Sequence, residues 1–134
     1  MPVESGTKHF FYSINILFMK TIVWYNSWLV PKGFIGITLW PVINIALSKD
    51  DYIKKYGEER LNNSINHESI HIKQQAEMLV IFFYIWYLIE WFIKLFKYEK
   101  GAYMNLSFER EAYGNARYKD YLNIRKKYSW IKYL

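Results

Sequence analysis

Apolar and polar positions divide the chain into a few readable stretches. Residues 10–30 are mostly bulky and apolar, interrupted by Asn15, Lys20, Thr21, Asn26 and Ser27. Their periodicity fits either a helix or a strand pair and does not choose between them. Pro31-Lys32-Gly33 is a turn signal. After it, Phe34-Ile35-Gly36-Ile37-Thr38-Leu39-Trp40 is rich in β-branched and aromatic residues with a rough alternation, which predicts a strand. Pro41 ends it, and residues 42–47 predict a second short strand. Gly36 inside the first strand marks a bulge or a place where another backbone comes close.

Residues 48–51 form a polar loop, and residues 51–60 are charged, suiting a short exposed helix or irregular chain. Between Gly57 and Gly101 there is neither Gly nor Pro. Ser64 or Asn66 is the expected N-cap of a helix running through residues 66–75. An apolar run follows over residues 78–93, broken by Glu90. Its uninterrupted part is shorter than the ~20 residues a bilayer-crossing helix needs, so it predicts a buried core helix or a re-entrant segment. Being apolar all round, it needs cover on every face. Gly101 is a helix stop, and Asn105 or Ser107 caps a further helix carrying Glu109, Glu111 and Tyr113. The expected architecture is mainly α (α+β), one domain over residues 1–134, with a short antiparallel β element ahead of the central helix.

That central helix carries candidate chemistry. Asn66-His67-Glu68-Ser69-Ile70-His71 contains His-Glu-x-x-His. Histidines four apart lie on one helix face, so both imidazoles reach one metal ion. Glu68 points about 100° away from His67, which lets it miss the metal and still meet a metal-bound water as general base. A catalytic zinc needs a third protein ligand, and without cysteine in the chain it has to be histidine or carboxylate. The one remaining histidine, His9, sits at a polar terminus and suits solvent better than a metal. Glu77 lies about 9 Å further along the helix and far round it. Glu90 would lie about 28 Å from His71 on a continuous helix, and residues 73–100 hold none of Gly, Pro, Asn or Asp to turn the chain. It is better placed as an i,i+4 partner for Lys94. Glu109 and Glu111 lie beyond the Gly101 break on a helix that can fold back. About 200° apart, only one of them can face the metal.

The segment from Asn66 to Gln75, with Phe108-Glu109-Arg110-Glu111-Ala112-Tyr113 downstream, resembles the gluzincin metallopeptidases. It is most similar to the CAAX-prenyl/heat-shock proteases and the antibiotic-sensing receptor peptidases, two membrane-linked groups. The resemblance implies a zincin-like core over about residues 34–119, Zn2+ as cofactor, and hydrolysis of a peptide or protein substrate. It selects Glu109 as third ligand, with Glu111 the alternative. It places Tyr113 where the family has a carboxylate that orients a metal-binding histidine. A tyrosine hydroxyl there would accept that hydrogen bond more weakly, or polarise a substrate carbonyl. The competing expectation is a non-catalytic zinc-binding or membrane-associated interaction protein on the same scaffold.

Composition adds a partner class. Of 134 residues, 52% are hydrophobic and 21% aromatic, too many for a disordered chain. The net charge of +6 favours anionic surfaces. The tail, residues 117–134, holds six Lys or Arg against Asp120, interleaved with Tyr118, Tyr121, Tyr128, Trp130 and Tyr133. Such mixing can meet lipid headgroups, whereas nucleic acid is the disfavoured partner. Residues 10–19 do not form a signal peptide by pattern, since Asn15 interrupts them and no small-residue cleavage site follows. The expected location is the cytoplasm or the inner face of a membrane.

Overall fold

The computed structural model describes residues 12–16 and 19–134, with side chains from Thr21 onward, so His9 lies outside the described residues. Strands β1 (Tyr12–Ile16), β2 (Met19–Trp24), β3 (Gly36–Leu39) and β4 (Val42–Ile45) form one sheet in the order β1-β2-β4-β3. The apolar stretch at residues 10–30 therefore contains a strand pair, with β1 antiparallel to β2. β3 and β4 make the expected antiparallel element, and β4 also runs parallel to β2, so the sheet is mixed. Leu39 pairs with Val42 across the Trp40-Pro41 corner, which leaves β3 at an edge of the sheet.

Helix α1 (Lys49–Tyr56) starts at Ser48, whose Oγ accepts a bond from the Asp51 N–H. Gly57, at φ 89°, separates it from α2 (Glu58–Glu77). The motif helix thus begins eight residues before Asn66. Neither expected cap acts as one: Ser64 bonds the Tyr52 hydroxyl, and Asn66 donates to the carbonyls of Ala116 and Tyr118. A glycine at positive φ breaks the helix where a capping side chain was expected to. Val23, Ile43 and Ile45 of the sheet pack with Tyr52, Leu61, Ile65 and Ile72 into the first core cluster.

The turn after α2 is the main departure from the sequence pattern. Leu79 and Val80 adopt φ of 52° and 59°, and the chain bends by 109° into α3 (Ile81–Tyr98). The Val80 N–H closes the turn onto Gln75 O at 2.7 Å. Packing beyond the turn holds a conformation that Leu and Val locally disfavour. Met78 and Phe83 join Phe108 and Trp130 in a second apolar cluster. A second correction concerns α3 itself. It is not a buried core helix, since its only buried residues are Phe83 and Glu90. No helix among the described residues is by itself long and apolar enough to cross a membrane.

Short 3-10 turns at Glu99–Gly101 and Tyr103–Asn105 bring the chain back into α4 (Ser107–Asn115). Neither Asn105 nor Ser107 caps it by side chain. Glu90 of α3 does so, taking the Ser107 N–H at 2.7 Å and its hydroxyl at 2.6 Å. A carboxylate suits the positive end of a helix. Glu90 also meets Lys94 at 2.7 Å, the expected i,i+4 pair. The basic tail contains α5 (Tyr121–Ile124) and a 3-10 turn at Ser129–Tyr133 whose Trp130 packs on Phe108.

Candidate metal centre

Helix α2 presents an unusual inward face. His67, Glu68, His71, Gln74 and Gln75 are all buried on it, while Ser69 is buried on another side of the helix. Helical spacing stacks His67 and His71, and their Nε2 atoms lie 3.1 Å apart. The fold-back through α3 brings α4 alongside, where Glu109 places Oε2 3.3 Å from His67 Nε2 and Oε1 3.4 Å from His71 Nε2. Three ligands on tetrahedral zinc at ~2.05 Å sit about 3.3 Å from one another. Here each histidine faces a different oxygen of Glu109, and one donor atom from each of the three residues lies within 4.8 Å of the others. In addition, Glu109 Oε2 is buried with no hydrogen-bond partner, an open acceptor aimed where an ion would sit. Among the described residues, His67, His71 and Glu109 form a buried group able to hold a metal ion.

The electrostatics agree with this geometry. Burial alone would lower the His71 imidazole, but the Glu109 carboxylate outweighs it, helped by Glu68 and Gln74, and holds the pKa up at about 9. Burial alone would raise the Glu109 carboxyl, yet His71 and His67 hold it well below the usual carboxylate range.

Surrounding residues fix the ligands. Gln74 Oε1 lies 2.7 Å from His71 Nδ1, and the Gln74 amide donates to Phe108 O and to Glu111 Oε2. With its amide so engaged, Gln74 accepts from Nδ1–H and leaves Nε2 free to meet a metal ion. The Tyr87 hydroxyl donates to Glu109 Oε1 at 3.2 Å; its own pKa is raised by burial and by that carboxylate. Glu111 points elsewhere: Arg125 Nε lies 2.5 Å and the Tyr121 hydroxyl 2.8 Å from its Oε1. Arg125 also pairs with Glu77, so both acids that do not face the metal site anchor the tail.

Glu68 stands beside the cluster. Thr38 of β3 donates to Glu68 Oε2 at 2.6 Å. Gly36 matters against β4 instead: a Cβ there would crowd Asn44 O and Ile45 Cδ1 at 3.1 Å, and would meet Glu68 Oε1 only at an ordinary 3.6 Å. Tyr113 meets His67 ring to ring at 4.4 Å. It therefore covers His67 rather than orienting it, and the orienting role expected at this position falls to Gln74 on His71. Gln74 was visible three residues after His71, but its partners lie 34 and 37 residues away. Thr38, Tyr87 and Arg125 carried no local signal.

Two cavities meet at Glu68. One of about 290 Å³ is walled by Phe34, Ile37, Leu39, Phe83, Tyr84 and Tyr103 and reaches His71 and Glu109. The other, about 780 Å³, is more polar and includes Arg60, Asn63, Arg117 and Tyr113 beside His67. No protein-family model matches the chain, and no curated protein or solved structure shows significant similarity to it.

Proposed function

We propose that this chain is a zinc-dependent metallopeptidase of the gluzincin type, with His67, His71 and Glu109 as ligands. The observation that carries the reading is the buried convergence of those three donors next to Glu68. Zinc, when bound there, supplies Lewis acidity and makes a coordinated water acidic near neutral pH. Glu68 takes the proton from the attacking water and passes it to the leaving amine as the peptide C–N bond breaks. Thr38 holds one Glu68 oxygen, so the carboxylate is oriented before substrate arrives. Edge strand β3 offers main-chain groups along which an extended peptide aligns. The aromatic-walled cavity then takes a large apolar side chain next to the scissile bond.

Glu68→Gln tests the reading. Loss of the general base should lower the rate of peptide hydrolysis by roughly 10²–10⁴-fold, while zinc content measured on the folded protein stays equal to wild type. A wild type that binds zinc but cleaves none of a set of peptides rich in Phe and Leu would leave a metal-binding scaffold without peptidase activity. Hydrolysis unchanged in Glu68→Gln would remove the mechanism.

A further inference from the structure

The metal site accounts for one side of α3, where Phe83, Tyr84 and Tyr87 wall the cavity. The other side has no role in it. Ile81, Phe82, Ile85, Leu88, Ile89, Phe92, Ile93 and Phe96 are all exposed, Phe96 by 80%. At 100° per residue, these side chains with Trp91 cover an arc of roughly 200°. That arc carries no charged or amide side chain over about 24 Å of helix. Monomeric proteins rarely leave such a continuous apolar patch to water.

We propose that this outer face of α3 is a lipid-binding surface lying within the interfacial layer of an anionic bilayer. Three observations favour lipid over a second copy of the chain. A partner helix packs against an apolar stripe of about 100°, half of the arc found here, whereas acyl chains cover the whole of it. Trp91 stands at one border of the arc, where a ring with a polar edge suits the headgroup level. Cations flank the helix: Lys97 and Lys100 are exposed at its end, and the tail that docks on it through Trp130 and Trp86 exposes Lys126, Lys127 and Lys132. The opposite face is committed to protein through Phe83 and Glu90, so the helix lies along the membrane and does not cross it.

Flotation of the full chain with vesicles of phosphatidylcholine and phosphatidylglycerol tests this, independently of zinc or peptidase activity. Wild type should float with the vesicles. Leu88→Glu with Phe92→Glu should weaken partitioning by roughly a hundredfold, about tenfold for each lost apolar anchor. Circular dichroism and zinc uptake of that variant should match wild type, since both side chains are exposed. Lys97→Glu with Lys100→Glu should lower partitioning by more than about tenfold through charge alone. This second pair keeps the proposal testable even where the first variant does not fold. A wild type that stays with the soluble fraction overturns the proposal, as does a folded double-glutamate variant that floats like wild type. So does a stable dimer in lipid-free buffer that the same glutamates convert to monomer, since the face would then be a contact between copies. Equal flotation of the lysine variant overturns the anionic assignment.

Discussion

Helices α2 and α3 are consecutive, similar in length and opposite in solvation. α2 buries six polar side chains, five of them on one face and Ser69 apart from them, and α3 leaves most of its large apolar ones in contact with solvent. Each inverts the ordinary rule of apolar inside and polar outside, and each inversion is costly unless something compensates it. In α2 the compensation is internal. His67 and His71 converge with Glu109, Thr38 satisfies Glu68, Gln74 bonds in three directions, and Ser69 bonds Ile65 O. In α3 the outer face has no such internal partner. Buried polarity that is locally answered marks a site for chemistry, and exposed apolarity marks a surface for something outside the chain.

Breaking the α2 side should give the largest effects. Glu109→Gln keeps shape but removes the negative charge of a ligand, so zinc affinity measured by competition titration should fall by well over a hundredfold, more than the loss of an orienting group costs. Glu111→Gln should retain most of the affinity and instead lower thermal stability by about 3 kcal/mol, because Arg125 loses one of two buried partners. A large affinity loss in Glu111→Gln alone would mean that the wrong acid was assigned to the metal.

Gln74→Leu sharpens the comparison further. It keeps the volume but removes the acceptor on His71 Nδ1, and should cost about ten- to hundredfold in zinc affinity by the same titration. Equal affinity would mean that Gln74 fills space and orients nothing.

A gentler probe is pH. With its pKa held up at about 9, His71 carries a proton at neutral pH in the metal-free protein. Glu109, held low, stays ionised throughout that range. Zinc has to displace the His71 proton, so its apparent affinity should rise by about tenfold per pH unit from 7 up to about 9 and then level off. Calorimetry in buffers of different ionisation heat should report close to one proton released at pH 7. Affinity independent of pH over this range would contradict the His71–Glu109 coupling.

Local rules and long-range contacts decided different parts of this protein. The sequence alone determined the His67–His71 pair, because four residues of helix bring two side chains together wherever the helix lies. It determined the β3–β4 element through Gly36, the β-branched run and Pro41. It also named Glu109 and Glu111 as acids beyond the Gly101 stop, although it set Glu90 aside on a continuous helix that in fact turns at Leu79 and Val80. Only the tertiary structure decided that the chain turns at Leu79 and Val80 without a Gly or Pro, and that Glu90 caps α4. Capture of Arg125 by Glu77 and Glu111, 48 and 14 residues away, belongs to the same group. The physical reason is common to all of these. A turn that its own residues disfavour, or a buried ion pair between distant segments, needs contacts from distant parts of the chain, such as the second apolar cluster of Phe83, Phe108 and Trp130. That cluster is a property of the assembled chain, and no window of neighbouring residues contains it.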